Sequence, residues 1–106
     1  MSIYVFDLDG TLCDTKKKED GNWDYLGAQP FPERIQRVNQ LYDEGHTIIV
    51  ETARGCVSGK NWFYQTVEQL KGFGLRFHHL RTGVKFGADF FIDDKGVHSD
   101  DFFSES

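Results

Sequence analysis

The sequence predicts one α/β domain built on a doubly wound, mainly parallel sheet. The chain has 106 residues, which is the length of a single ordinary domain. Short apolar runs alternate with helical patterns along it, as in proteins whose strands are joined by helices. Three of these runs are continuous rather than alternating, which is typical of strands covered on both faces. We therefore expect about four strands with flanking helices.

The elements follow one another as strand, helix, strand, helix, strand. Pro32 begins the first helical pattern, which ends at Gly45, and the second runs from Asn61 to Phe73 with Gly74 as its stop. Such crossovers are right-handed in parallel sheets. The four apolar runs predicted to be strands are Ile3–Phe6, Thr47–Val50, Leu75–Leu80 and Phe90–Ile92.

In two segments the apolar residues follow neither the spacing of a helix nor that of a strand. Residues 14–29 are predicted to form an extended loop or small flap after the first strand. The acidic tail, residues 96–106, is expected to form one helical turn capped by Ser99. Phe102 and Phe103 are its only large apolar residues, and they are candidates for a contact between subunits.

Composition excludes several classes of protein. Twelve Lys and Arg against seventeen Asp and Glu give a net charge of -5, which argues against a nucleic-acid binder. Two cysteines, Cys13 and Cys56, cannot form the disulfide framework of a secreted domain. The sequence shows no leader and no apolar stretch long enough to span a membrane. We expect a cytoplasmic protein with reduced thiols.

Chemically active residues follow the ends of the predicted strands. In a doubly wound sheet, ligands bind beyond the carboxyl ends of the strands. Carboxylates gathered there repel one another unless a hard cation such as Mg²⁺ lies between them. The two basic residues near the strand ends, Arg54 and Lys85, would then be free to bind an anion. The residues concerned are Asp7, Asp9, Thr11, Thr52, Ala53, Arg54, Lys85, Asp93 and Asp94.

Four segments of the chain resemble the motifs of the haloacid dehalogenase (HAD) superfamily. Phe6–Leu12, with the sequence Phe-Asp-Leu-Asp-Gly-Thr-Leu, resembles its first motif, and Thr52 at the end of a predicted strand resembles the second. Lys85 is similar to the third motif, and Asp93 with Asp94 to the acidic fourth. The resemblance implies a Rossmann-like fold and a Mg²⁺-dependent phosphatase, the activity that dominates the superfamily.

The chain also departs from the family pattern. The substrate-selecting cap domain is absent, since neither residues 14–29 nor residues 55–60 are long enough to form one. Phe86 follows Lys85 where similar small members often have proline. The second aspartate of the first motif, Asp9, separates phosphatases from the dehalogenase members, which lack it, and from the ion-pumping ATPases, which carry another residue there.

The residues support a definite reaction. Asp7 is the candidate nucleophile for attack on phosphorus, and Asp9 the candidate general acid and base. Mg²⁺ would be held by Asp7, the backbone carbonyl of Asp9, and Asp93. We expect Asp94 to orient Lys85 or a metal-bound water rather than to bind the metal directly.

The remaining candidates would bind phosphate or substrate. Thr52 and the backbone amide of Ala53 can hydrogen-bond the phosphoryl oxygens, and Thr11 lies beside them. Lys85 would offset their charge. For Arg54, a salt bridge and a substrate contact are equally expected.

The favoured function is hydrolysis of a small phosphorylated metabolite, and the resemblance to proteins of sugar-nucleotide and polysaccharide synthesis implies a sugar phosphate. A nucleotide, a nucleic-acid end or a phosphoprotein is the alternative substrate. A receiver-like signalling module or a non-catalytic accessory subunit is a different class, but the order of the acidic motifs argues against a receiver.

Because the chain has no cap domain, we expect one of two forms. It is either a monomer with slow activity toward many substrates, or a homo-oligomer in which a neighbouring subunit supplies the lid.

Overall fold

The structure is a computed structural model that describes residues 1–54, 61–83 and 97–104. The predicted strand Phe90–Ile92 lies outside the described residues. In chain order the elements are β1 (Ile3–Asp7), β2 (Cys13–Asp14), β3 (Gln29–Pro30), α1 (Pro32–Asp43), β4 (Thr47–Thr52), α2 (Phe63–Gly72), β5 (His79–Thr82) and α3 (Ser99–Ser104).

A three-stranded parallel sheet in the order β1-β4-β5 forms the centre of the described chain. Its register places Asp7 beside Glu51 and Thr52 beside Thr82. All three strands therefore end at one edge, and the residues that follow β1 and β4 are neighbours. The predicted α/β class with a parallel sheet is confirmed.

In the part of the chain that the structure describes, the core lies on one face of this sheet. In β4 the residues Ile48, Val50 and Thr52 are buried, because alternate side chains of a strand point to the same face. On the other face of β1, Ile3 is 70% exposed and Val5 is 54% exposed. The expectation that β1 is covered on both faces is therefore not met by the described part of the chain.

Helices α1 and α2 begin and end close to the predicted positions. Pro32 begins α1, and its buried residues Ile35, Val38 and Leu41 join the core at helical spacing. Gly45 follows the helix with a φ of +94°, a conformation that glycine adopts without the steric cost of a Cβ. Its N–H donates to a carbonyl of the last turn, so the glycine ends the helix as the sequence predicts.

Strand β5 begins later than predicted. Leu75 is buried, but residues 75–78 are not in the sheet. The side chain of Asn39 on α1 accepts a hydrogen bond from the Arg76 N–H at 2.8 Å and donates to the Gly74 carbonyl at 2.9 Å. Because α1 satisfies this backbone, the strand starts only at His79.

The segment between β2 and β3 folds back on itself. These two short strands pair antiparallel, and Lys17 and Trp23 form an isolated bridge above them. We call residues 14–29 the flap. Trp23 is 49% exposed, and the Lys17 ammonium lies 5.1 Å from the centre of its ring.

Helix α3 packs on the core of its own chain. The Phe102 ring lies 6.1 Å from Tyr4 and 5.8 Å from Phe6, and Phe103 also contacts Phe6. These phenylalanines therefore make contacts within their own chain, and the subunit contact expected of them stays a prediction. The helix is capped by His98, whose Nδ1 accepts the Asp100 N–H at 3.1 Å, rather than by Ser99.

Candidate functional site

The chain turns sharply after β1. The carbonyl oxygen of Leu8 accepts hydrogen bonds from the N–H groups of Thr11, Leu12 and Cys13, and Gly10 donates to the Cys13 carbonyl. Gly10 has a φ of +83°, which only glycine adopts without strain. Leu8 and Leu12 are fully buried. The Asp-Gly-Thr part of the first motif is thus a rigid turn anchored by two core leucines.

Asp7 ends β1 at the carboxyl edge of the sheet. Its side chain is half-buried, and its Oδ1 accepts a hydrogen bond from the Leu8 N–H at 3.0 Å. This bond orients the carboxylate toward the turn. Asp7 therefore lies at a strand end, as the sequence predicts, and its role as a nucleophile stays a prediction.

Asp9 is held by Arg54 across the edge between β1 and β4. Arg54 Nη2 donates to Asp9 Oδ1 at 2.7 Å, and Arg54 Nε donates to Asp9 Oδ2 at 3.0 Å. The guanidinium thus binds both carboxylate oxygens as a planar fork, the geometry that arginine favours with carboxylates. The Asp9 side chain keeps 26% of its surface exposed.

Arg54 itself is completely enclosed. Its side chain is 0% exposed, and its Nη1 donates to Gln69 Oε1 at 2.7 Å and to Thr66 Oγ1 at 3.4 Å. The ring of Tyr25 lies 4.7 Å from the guanidinium carbon. A charge buried this deeply requires such partners, because desolvation alone would be costly.

Two threonines complete the surroundings of Asp9. Thr15 Oγ1 donates to Asp9 Oδ1 at 2.6 Å, and Thr52 Oγ1 donates to Asp9 Oδ2 at 3.4 Å. The Thr52 oxygen also accepts the Arg54 N–H at 3.2 Å. Thr52 is buried, so the structure brings together the two residues that resemble the first and second motifs.

These contacts set the charge of Asp9. Burial raises the pKa of the Asp9 carboxyl, but the hydrogen bonds from Arg54 and Thr15 lower it by more, and the net pKa lies below its ordinary value. Asp9 is therefore ionised at neutral pH in this arrangement.

The structure corrects the expectation that Arg54 is free to hold an anion. Its guanidinium is bound by Asp9, Gln69 and Thr66 inside the protein. Of the two roles expected for Arg54, the described geometry matches the salt bridge.

The other candidates divide between the described and undescribed parts of the chain. Ala53 is exposed next to Thr52, and Thr11 is half-buried with its carbonyl bound by Arg34 Nη1 at 2.9 Å. Four further residues lie outside the described residues, namely Lys85, Asp93, Asp94 and Cys56.

Sequence reasoning missed three residues: Thr15, which contacts Asp9, and Thr66 and Gln69, which contact Arg54. Thr66 and Gln69 are three residues apart on α2, the spacing that places side chains on one helix face. That spacing was the available signal. Nothing in the local sequence marks Thr15.

Cys13 is an unreactive type of thiol. It is fully buried, and its Sγ lies 3.7 Å from Asp9 Oδ1. Burial raises its pKa to about 11, and the neighbouring negative charge of Asp9 acts in the same direction. Thiolate is the nucleophilic form of cysteine, so Cys13 is suited to packing rather than to chemistry.

A hard cation suits the oxygen donors at this edge. The Asp9 carboxylate is occupied by Arg54, so the ligands expected at this edge are the Asp7 carboxylate and the Asp9 backbone carbonyl, and this ligand set stays a prediction. Within residues 1–54, 61–83 and 97–104, no three His, Cys, Asp or Glu side chains form a metal-binding group. Asp93, the third expected ligand, lies beyond these ranges.

Fold and site together define an α/β protein with a carboxylate–arginine cluster at the carboxyl edge of a parallel sheet. The structure is similar to the crystal structure of a structural-genomics target from Vibrio cholerae, with a TM-score of 0.81 over 98% of this chain and 89% of that chain. The two sequences are 24% identical, so this likeness shows the fold alone. No family model matches the chain, and no curated protein matches it significantly. In the described residues, no helix has the length and apolar character needed to cross a membrane.

Proposed function

We propose that this protein is a Mg²⁺-dependent phosphatase of the HAD type, which hydrolyses a phosphate monoester through an aspartyl phosphate on Asp7. The observation that carries the proposal is the hydrogen bond between Thr52 and Asp9, which are 43 positions apart. It joins the residues that resemble the first two motifs at the edge of the sheet where ligands bind in such folds.

In the first step, a carboxylate oxygen of Asp7 attacks phosphorus, and the bond between phosphorus and the ester oxygen breaks. The leaving oxygen takes a proton from Asp9, which must be protonated for this step. Asp9 is ionised in the free protein, so it would take this proton from solvent as the substrate binds, because the negative charge of a phosphate dianion favours the protonated form. The amide of Ala53 would hydrogen-bond the transferring oxygens, and Thr52 would join it by turning its hydroxyl proton from Asp9 toward them once Asp9 is protonated.

In the second step, water attacks the phosphorus of the aspartyl phosphate. Asp9, now ionised, takes a proton from the water, and the bond between phosphorus and Asp7 breaks to release phosphate. Asp7 is then again a carboxylate, and Asp9 carries the proton that it held at the start of the first step; release of that proton to solvent returns Asp9 to the ionised form of the free protein. The strong hydrogen bonds to Asp9 favour this ionised form.

Mg²⁺ held by Asp7, the Asp9 carbonyl and Asp93 would supply charge neutralisation between the anionic substrate and the anionic nucleophile. Lys85 would offset charge on the phosphoryl oxygens, and Asp94 would orient Lys85. With Arg54 committed to Asp9, Lys85 is the proposed cation for the phosphate.

The proposed substrate is a small phosphorylated metabolite, with a sugar phosphate as the first compound class to test. No segment long enough for a cap domain interrupts the sequence, so a larger phosphorylated substrate is the alternative. A cytoplasmic location is part of the proposal, because the two cysteines form no secreted framework. Light scattering tests the two forms proposed for an enzyme without a cap: a monomer with broad substrate range, or a homo-oligomer whose neighbour supplies a lid.

The proposal is tested by phosphate release from p-nitrophenyl phosphate and from a panel of phosphorylated metabolites, with and without Mg²⁺. We expect activity with Mg²⁺, loss in excess EDTA, and little turnover with Ca²⁺, whose larger and looser coordination shell misplaces the nucleophile. Full activity after dialysis against EDTA would contradict the metal requirement. No hydrolysis of any compound would contradict the function.

A further inference from the structure

Arg54 connects the acid/base candidate to a helix. The fork of its Nε and Nη2 fixes both oxygens of Asp9, and its Nη1 is fixed in turn by Gln69 Oε1 at 2.7 Å. Gln69 lies on α2, on the same face as the buried Thr66. Because the guanidinium is planar, the hydrogen bond from Nη1 to Gln69 fixes the orientation of the whole group. The Asp9 carboxylate, which is bound by Nε and Nη2, is therefore held in the same plane.

Gln69 also connects this helix to the flap. Its Nε2 donates to the Tyr25 backbone carbonyl at 2.6 Å. The Tyr25 ring covers the face of the Arg54 guanidinium at 4.7 Å and contacts Trp62 at 5.1 Å. One amide side chain therefore binds the arginine with its oxygen and the flap with its nitrogen.

We propose that Gln69 and Arg54 are positioning residues, which hold the Asp9 carboxylate in one orientation and tie that orientation to α2 and the flap. The proposal rests on the function proposed above for Asp9. It assigns Arg54 no direct contact with substrate. Gln69, which no motif marks, determines the geometry of the reaction through Arg54.

The alternative role for Arg54, direct binding of the phosphate, conflicts with its contacts. An incoming phosphate would have to displace Asp9 from the guanidinium and leave that carboxylate without its charged partner. The arginine side chain is also 0% exposed. The two roles differ in kinetics, because loss of phosphate binding raises KM while loss of positioning lowers kcat.

The decisive variants are Gln69→Leu and Arg54→Lys, with Gln65→Leu as the matched control. Gln65 is an exposed glutamine one turn earlier on α2, and it takes no part in the Asp9 contacts. We expect kcat to fall about tenfold in Gln69→Leu and about 100-fold in Arg54→Lys, since small misplacements of catalytic groups have effects of this size. KM should change less than about twofold, and Gln65→Leu should match the wild type.

The variant Gln69→Glu separates positioning from general damage to the fold. It keeps an oxygen acceptor for Arg54 but loses the amide donor to the flap, so part of the kcat lost in Gln69→Leu should return. A raised KM with unchanged kcat in Arg54→Lys would overturn the proposal. So would a Gln69→Leu variant that matches Gln65→Leu.

A readout that needs no activity distinguishes failure of this proposal from failure of the phosphatase function. In NMR spectra of the full chain, the Arg54 Nε–H proton should exchange slowly with water, because it is buried and bound to Asp9. Gln69→Leu should shift this resonance and speed its exchange, while Gln65→Leu should not. If the wild type hydrolyses no substrate, the phosphatase function fails and this spectrum alone decides the positioning role. An Arg54 resonance unaffected by Gln69→Leu would then refute it.

Discussion

Arg34 and Asp100 form an ion pair at 2.8 Å although 66 positions separate them in the sequence. The same guanidinium donates through Nη1 to the Thr11 carbonyl at 2.9 Å. It also lies 4.9 Å from the ring of Phe103. One arginine on α1 therefore contacts both the turn that carries Asp9 and helix α3.

The ionic part of this contact is expected to be weak and the apolar part strong. The Asp100 side chain is 74% exposed, so Asp100→Asn should lower the free energy of unfolding only slightly, because water screens an ion pair at the surface. Phe102→Ala should cost about 2 kcal/mol, less than the value for a fully buried phenylalanine, because Phe102 is half-buried. Urea unfolding checks both, with the exposed Asp101→Asn as control. A larger loss in Asp100→Asn than in Phe102→Ala would reverse this order.

The fold was predictable to the extent that local patterns determine it. The helix limits at Pro32 and Gly45 follow from backbone chemistry, and both are found. The start of β5 was not predictable, because it depends on the Asn39 side chain of another element. The exposure of Ile3 was likewise not predicted, because a continuous apolar run does not show whether one or both faces of the strand are covered.

The site was predictable in position but not in its internal contacts. The ends of parallel strands meet at one edge, so the nearness of Asp9 and Thr52 follows from topology. The partner of Arg54 depends on the rotation of α2 and the path of the flap, which place Gln69 and Tyr25 around it. Sequence spacing alone therefore left both of its expected roles open.

The buried thiol of Cys13 should be unreactive in the native protein. In a Cys56→Ser background, Ellman's reagent at pH 8 should modify Cys13 only as fast as the protein unfolds, because Cys13 is buried and its pKa is about 11. Rapid modification in the absence of denaturant would contradict its burial. In urea, which unfolds the protein, Cys13 should react completely with the reagent, and this reaction serves as the positive control.

The raised pKa of Cys13 also predicts the direction in which the stability of the fold changes with pH. The folded state binds the Cys13 proton more tightly than the unfolded state, whose ordinary value is 9.0. The resulting stabilisation is fully present below about pH 9 and is lost as the pH rises toward 11. The Cys13→Ala variant in the same background lacks this group. Its free energy of unfolding should therefore fall less over that interval.

The two aspartates of the first motif should differ in the intermediate they allow. Asp7→Asn removes the proposed nucleophile, so no phosphoenzyme should form. Asp9→Asn keeps it, and turnover should fall by about 10²–10⁴-fold, the usual contribution of acid–base catalysis. With p-nitrophenyl phosphate, whose leaving group needs little protonation, aspartyl phosphate should accumulate and add one phosphate to the mass after acid quench. A phosphoenzyme in Asp7→Asn would show that another residue is the nucleophile.

Loss of the Asp9 charge should also destabilise the protein, because Arg54 would remain buried without its ionic partner. Removing one partner of a buried ion pair costs about 3–5 kcal/mol. The amide introduced by Asp9→Asn has one oxygen, so it can accept only one of the two hydrogen bonds that Arg54 donates to the carboxylate. Removing the arginine as well, in Asp9→Asn with Arg54→Met, leaves no uncompensated charge. We therefore expect the double variant to be more stable than the sum of the single changes predicts, by about 2–3 kcal/mol.

The surface pair of Glu51 and Arg81, at 3.2 Å between neighbouring strands, provides the matched control for this double-mutant cycle. The Arg81 side chain is 61% exposed, so the coupling free energy of Glu51→Gln and Arg81→Met should be below about 1 kcal/mol. Urea unfolding of both sets of variants measures the two couplings under the same conditions. Equal couplings would mean that Arg54 is accessible to water in solution. A coupling that is large only for Asp9 and Arg54 would confirm that the carboxylate neutralises an enclosed arginine.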